Sequence, residues 1–332
     1  MTDEASINET DIQTVIDKTI RKTNIIMDSQ ILTTLMSCPC LTDLRFNHNL
    51  VSIKGKSNSI ECGSIVHKYM EVYYGSIIKG INSKEAHGFG MAAAEMYIRG
   101  CQFCTDFIPT DEHLKPPCGH RKNDYPGLQN TPAESETNRT GWKWVLETCE
   151  QYYEHYKFDS WIPLEVEVVK SEVLYEDEDI RILWKAKLDL VSDTHQGIFP
   201  IDHKTMKQNR QQLNLNNQFT GQCIIQKTRS MIINKVGFQK TLKADEKFKR
   251  EVVGYTPQRL IEWQSEILPY YAKMLMMYHE SGVWPRNYTH CEGKYGLCAF
   301  TGVCSANPDM REEELKINFK VGEPWNPTNE DE

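Results

Sequence analysis

The sequence predicts an α/β domain, on three observations. Apolar residues recur at helical spacing over 61–78 and again from Gly141 to about 156, and three successive segments between 161 and 206 alternate apolar with polar residues. A helix, a strand and a long capped helix follow, the order of an α/β or α+β core with a helical N-terminal elaboration. At 332 residues, 39% of them apolar, the chain can bury a sizeable core, which excludes a wholly disordered protein.

Residues 1–30 read as an N-terminal extension, in which Ile12, Val15, Ile16 and Ile20 suit a frayed helix without evident chemistry. At Asp28 a helix begins, and the Cys38-Pro39 pair interrupts it. Residues 61–78 place Ile65, Tyr69, Val72 and Tyr73 on one helical face, and 86–104 continue as a small-residue helix. The polar, proline-containing stretch 106–140 has no periodicity and reads as a surface excursion. A further helix starts at Gly141, with Trp142, Trp144, Tyr152, Tyr153 and Tyr156 at core spacing. Segments 161–175, 180–193 and 197–206 read as strands joined by turn-like DED and DTHQG, hence as two hairpins. Residues 211–229 suit a helix and SMIINKVGFQKTL a strand. Thr256 then caps a helix that has Pro257 at its first position and Gly282 past its end. The chain closes in a cysteine-rich loop region and an acidic tail, 305–332.

No apolar run approaches the ~18 residues of a membrane span. The start, MTDEASINETDIQ, lacks the basic and apolar regions of a secretory leader, so a cytoplasmic protein is expected. Eleven cysteines in such a chain read as reduced thiols, some of them metal ligands, rather than as a disulfide framework. The net charge of −8 weighs against binding nucleic acid by charge alone. It leaves room for an enzyme that holds divalent cations in a carboxylate pocket.

The informative segment is KAKLDLVSDTHQGIFPIDHKTMK. Asp189 lies in one strand; Asp202 and Lys204 lie two apart on the next and share a face, while Ile201 and His203 face away. If the strands pair across the 194–197 turn, Asp189 approaches Asp202. Two such carboxylates repel unless a hard cation such as Mg²⁺ or Mn²⁺ lies between them. A lysine beside that cation can orient the attacking water or stabilise charge on a phosphate.

With its surroundings, this segment resembles the PD-(D/E)XK nuclease superfamily, and within it the RecB-like, AddB-like exonuclease branch with its stand-alone phage members. KAKLDLV resembles the strand that carries the metal-binding Asp189, and PIDHKT the D-x-K strand with Asp202 and Lys204. GSIVHKYME resembles the G-x-x-x-H helix, which gives Gly63 and makes His67 a further metal ligand. QFTGQ resembles the Q-x-x-x-Y helix, which gives Gln218, although Gln222 stands where the tyrosine would be. Ala186 replaces the usual glycine before the strand aspartate. The resemblance also implies an acidic residue on the preceding strand, Glu167 in preference to Glu165. It covers roughly residues 31–304. It implies a restriction-endonuclease-like core that hydrolyses DNA phosphodiesters with Mg²⁺ or Mn²⁺, by exonuclease action in replication, recombination or repair. DNA is the expected partner; the sequence does not give a helicase or recombinase partner.

Cys291, Cys298 and Cys304 form a second constellation, in a loop where three buried apolar thiols would be unusual. Four thiolates suit an iron–sulfur cluster or Zn²⁺ equally. The resemblance implies a [4Fe–4S] cluster completed by Cys38 of SCPCLTDLRF, with Cys40 as the fallback. Such a cluster would staple chain segments about 250 residues apart. A weaker zinc pattern, C-x₂-C-x₁₃-C-x-H, comprises Cys101, Cys104, Cys118 and His120. Basic residues at 204–210, 227–229 and 235–250 ordinarily mean a solvated face. Beside a metal site they would track a phosphate backbone, with aromatics stacking unpaired bases.

Overall fold

A computed structural model of the chain describes residues 22–53, 58–99, 142–206, 213–238, 242–293 and 296–326. Its elements are β1 (Thr23–Met27), α1 (Ser29–Ser37), β2 (Leu50–Ser52), α2 (Asn58–Ile78), α3 (Ser83–Arg99), α4 (Trp142–Tyr156), β3 (Ile162–Glu176), β4 (Ile180–Thr194) and β5 (Gly197–Met206). These are followed by α5 (Asn217–Ile225), β6 (Ser230–Gly237), β7 (Phe248–Gly254), α6 (Leu268–Ser281), α7 (Arg311–Asn318) and β8 (Phe319–Val321), with shorter turns between them. Among the described residues no helix is long and apolar enough to cross a membrane.

The main sheet is mixed, in the order β1-β4-β5-β6-β7, with β3 on the other edge of β4. β4 pairs antiparallel with β3 along most of its length. On its other edge it meets β1 only at its start (Ile180–Trp184) and β5 only at its end (Leu190–Thr194). Among the described residues, 185–189 of β4 therefore face no strand on that edge. This interruption positions the site described below.

Helices flank both faces of the sheet. Ile65, Tyr69 and Tyr152 of α2 and α4 pack on Leu190, Ile201 and Ile232. Phe219 and Cys223 of α5 pack on Met231 and Ile233. Ile232 and Ile233 are consecutive in β6 and so point to opposite faces. A third cluster joins β1, the start of β4 and α6 through Met27, Ile182, Trp184, Trp263 and Leu268.

Gly221 brings α5 close to β4. A Cβ at that position would lie 2.6 Å from Trp184 Nε1 and 2.7 Å from its ring carbons, inside contact distance of a rigid buried indole. Gly221→Ala is therefore expected to destabilise the fold by about 1–3 kcal/mol, because neither the strand nor the ring can yield. Urea unfolding checks this; an unchanged midpoint would show that the helix shifts freely.

Several boundaries differ from the sequence expectation. Residues 23–27 form a parallel strand rather than the end of a helix, so the domain begins before residue 31. Asp28 then caps α1, its Oδ1 accepting from the Gln30 and Ile31 N–H groups at 2.8 Å. The helix expected over 211–229 is confined to α5, whose start is fixed by Asn216 accepting from the Gln218 and Phe219 N–H groups. β7 lies within the basic run at 235–250 and beyond. Its alternation is masked because half-buried Arg250 sits between the Tyr156 and Trp161 rings, 3.7 and 3.3 Å from their centroids. Residues 305–326 are not a detached tail: β8 pairs antiparallel with β2, and Phe319 stacks on Phe300. The 106–140 excursion lies outside the described residues.

Candidate metal and thiol sites

α2 rests on β5 because Gly63 has no side chain; a Cβ there would stand 3.1 Å from Thr205 Oγ1. One turn further, His67 Nδ1 lies 3.6 Å from Asp189 Oδ2. Asp189 sits where β4 and β5 part, just past the last ladder pair, Leu190↔Ile201. There the His203 N–H has lost its strand partner, and Asp189 Oδ2 accepts from it at 2.8 Å. The pairs Val166↔Leu190 and Val168↔Leu188 set Glu167 opposite Asp189. Glu167 has φ +49°, a left-handed conformation that is strained for a side chain of this size, and such strain concentrates at functional sites.

His67, Glu167 and Asp189 each offer a ligand atom within 4.8 Å of the others. Glu165 does not join them; it pairs with Lys170 at 2.6 Å. Asp202 stands beside this trio, 1% exposed. Its Oδ2 is 2.8 Å from Lys204 Nζ, and its Oδ1 accepts from Gln218 Nε2 at 2.8 Å. Lys204 also donates to Gln218 Oε1 at 3.2 Å, closing a three-membered ring of contacts. Asp202 and Lys204 meet α5 while His203 stacks on Tyr74 of α2, so the side chains of β5 alternate between the two faces.

The electrostatics follow from burial. Glu167 is pushed up to about 8 by burial and then by the Asp189 charge, against the pull of Lys187 at 2.9 Å. Burial, only partly offset by Lys204, raises Asp202 to about 6. Burial also opposes ionisation of Asp189, but the neighbouring His67, His203 and Lys204 side chains and the His203 N–H hold its carboxyl below the usual range. Three carboxylates so placed cannot all carry charge unaided. The donor set of two carboxylates and an imidazole fits a divalent cation, which would supply the missing positive charge.

Sequence reasoning misses three contributors. His203 is a neutral imidazole, lowered to about 3 by burial. It joins a buried chain in which Asn234 Nδ2 contacts His203 Nδ1 and donates to Tyr152 Oη, each at 2.8 Å. Lys187 pairs with Glu167; its place in KAKLD was the available signal. Gln222, at the departed tyrosine position, donates from Nε2 to the Lys187 carbonyl at 3.1 Å and so satisfies backbone on the open edge of β4.

The thiols gather elsewhere. Cys38, Cys40, Cys291, Cys298 and Cys304 line one cavity together with Arg286 and Asn287. All five are unbridged; Cys40 is buried and the other four are half-buried. Asn287 N–H donates to Cys38 Sγ at 3.4 Å, and burial pushes the Cys40 thiol up to about 11. Cysteine side chains from two distant segments thus line one cavity, which is the donor chemistry of a thiolate-ligated group. Cys101, Cys104, Cys118 and His120 lie outside the described residues.

No family model and no curated protein matches the chain. Solved structures that are similar to it include the crystal structure of SSO0001, at 14% identity and a TM-score of 0.30, over 49% of this chain and 70% of that one. A likeness of that size carries no weight for fold or function.

Proposed function

We propose that the chain is a metal-dependent deoxyribonuclease with a restriction-endonuclease-like core, of the RecB-like PD-(D/E)XK type. The supporting observation is that Asp189, Glu167 and His67 converge at the parting of β4 and β5, beside the Asp202–Lys204–Gln218 ring. Asp189, Glu167 and His67, with Asp202 adjoining, would hold Mg²⁺ or Mn²⁺. A cation so held acidifies a water and neutralises a scissile phosphate. Lys204 orients the nucleophile and faces charge developing on the phosphate, while Gln218 fixes both Lys204 and Asp202. Lys187 restrains the Glu167 carboxyl. The expected substrate is a DNA strand end, and the expected action exonucleolytic.

In the same reading Cys38, Cys291, Cys298 and Cys304 hold a [4Fe–4S] cluster that ties the N-terminal helices to the C-terminal return. Zn²⁺ is the alternative occupant. Anaerobic purification with iron, sulfide and zinc analysis tests the cluster. A Mn²⁺ and Mg²⁺ cleavage assay on free-ended and end-blocked DNA tests the activity. Iron with matching sulfide and metal-dependent loss of free-ended DNA are expected. DNA binding without cleavage under any metal would instead mark a non-catalytic protein on this scaffold.

A further inference from the structure

A short segment that supplies no sulfur is built into the thiol cavity. Pro285, Arg286 and Asn287 run beside Cys38 and Cys40, and three hydrogen bonds tie the two segments together. The Cys40 N–H donates to the Pro285 carbonyl at 3.0 Å, and Asn287 Nδ2 donates to the Ser37 carbonyl at 2.9 Å. The third ends on sulfur, the Asn287 N–H donating to Cys38 Sγ at 3.4 Å. Asn287 is also the N-cap of the turn Tyr288–His290, its Oδ1 accepting from the Thr289 N–H at 3.3 Å, and that turn leads straight into Cys291. One asparagine therefore sets the approach of two cysteines that lie about 250 residues apart in the chain and line the same cavity.

Arg286 lines the cavity too, its guanidinium donating to the Cys304 sulfur and lying beside Cys40. The groups that act on its charge most strongly are Cys40, Cys304 and Tyr288 rather than a carboxylate. A guanidinium so placed has nothing to neutralise while the thiols are protonated. Thiolates are the metal-binding form, and four of them carry more negative charge than a Zn²⁺ ion or a [4Fe–4S] core returns. A filled site is therefore anionic, and one-electron reduction of an iron–sulfur occupant makes it more so. Cations and N–H donors at ligand sulfurs stabilise that charge and raise the reduction potential.

We propose that Arg286 and Asn287 are positioning residues of the thiol site: Arg286 offsets the charge of its thiolates through Cys304, and Asn287 fixes Cys38 and Cys291 for the occupant. This rests on the reading of Cys38, Cys291, Cys298 and Cys304 as one ligand set and is independent of the nuclease reading.

The test uses the full-length protein, purified anaerobically, with iron, sulfide and zinc measured first. Retention is read as the rate at which excess EDTA strips the metal. For an iron–sulfur occupant the potential is read by titration with dithionite, which supplies the electron. Arg286→Leu should lose its metal about tenfold faster than the wild type, the lower end of the range for a residue behind metal ligands. Its ratio of reduced to oxidised cluster at a fixed potential should fall about threefold, because solvent screens part of the charge of this exposed arginine. Arg286→Lys keeps the charge and should restore both readings. Asn287→Ala should also lose metal about tenfold faster. Its potential should stay near the wild-type value, since the backbone N–H that meets Cys38 remains. Wild-type retention in Arg286→Leu, or a faster loss that Arg286→Lys does not restore, overturns the role given to its charge. Wild-type retention in Asn287→Ala overturns the role given to that side chain. A wild-type protein that takes up neither iron nor zinc on anaerobic reconstitution would overturn the thiol-site reading and this proposal with it. A loaded wild type with indifferent variants would overturn the proposal alone.

Discussion

Lys204→Met is expected to lower metal-dependent DNA cleavage by at least about 100-fold, the loss typical when one group facing transition-state charge is removed. Lys204 is the cation nearest Asp202, 2.8 Å away, and its side chain retains 28% exposure while that of Asp202 has 1%. The ammonium group is thus the part of this pair that a phosphate can reach. Removing it does more than delete a charge. Asp202 is already raised to about 6 by burial with Lys204 present, and without Lys204 its carboxyl must rise further. The variant should therefore bind Mn²⁺ more weakly at pH 6.5 than at pH 8, because the proton now competes harder. Asp202→Asn in the Lys204→Met background removes the stranded carboxyl, so the double variant should melt at a higher temperature than the single one and still be inactive. Wild-type cleavage by purified Lys204→Met would remove this lysine from the chemistry. A double variant no more stable than the single would show that the two side chains are not coupled.

Most of what positions Lys204 was legible in the sequence. The alternation of KAKLDLVSD and GIFPIDHKTM gives two strands and a turn, and period two alone puts Asp202 and Lys204 on one face. The caps at Asp28, Asn216 and Thr256 are local and behave as local rules require. What stayed hidden is non-local. β1 is a parallel strand whose partner lies about 155 residues away, so nothing near Thr23–Met27 distinguishes it from a frayed helix. β7 carries Arg250 among aromatic rings, and an arginine in that setting defeats a hydrophobic-pattern reading. Residues 305–326 look like a polar tail because their burial rests on single anchors, Phe319 and Trp325, rather than on a periodic stripe. The choice between Glu165 and Glu167 depended on a backbone feature, the left-handed φ of Glu167, which no pattern of residue types announces. The role of Gln222 depended on β4 lacking a neighbour along 185–189 among the described residues, which only the sheet order reveals.

That same left-handed glutamate carries the strongest expected pH dependence. Glu167 has a folded-state pKa of about 8 against an ordinary value of 4.5, raised first by burial and then by Asp189. A raised pKa means that the folded protein holds a proton the unfolded chain has released. Its contribution is thus fully present below about 4.5 and is lost as pH climbs through about 8. At 1.36 kcal/mol per unit, the metal-free protein should lose a few kcal/mol of stability across that range. Asp202, raised to about 6, adds to the same loss only in its lower part, and burial lowers Lys247 to about 8. From about 6.5 to 8 the Glu167 loss dominates, while Lys247 at the upper end and His203 at the lower end each contribute a smaller change of opposite sign. Urea midpoints in EDTA should fall across that interval. Mn²⁺ should restore them most strongly at the upper end, because the cation replaces the proton that Glu167 gives up. Glu167→Gln cannot release that proton, so its midpoints in EDTA should no longer fall over the same interval and its gain on adding Mn²⁺ should be much smaller. It also gives up the ion pair with Lys187, so the variant need not exceed the wild type at low pH. A wild-type midpoint that does not change between pH 6.5 and 8 in EDTA would mean that Glu167 is ionised throughout. In that case the crowding of carboxylates at the parting of β4 and β5 would not be the force that draws a cation there.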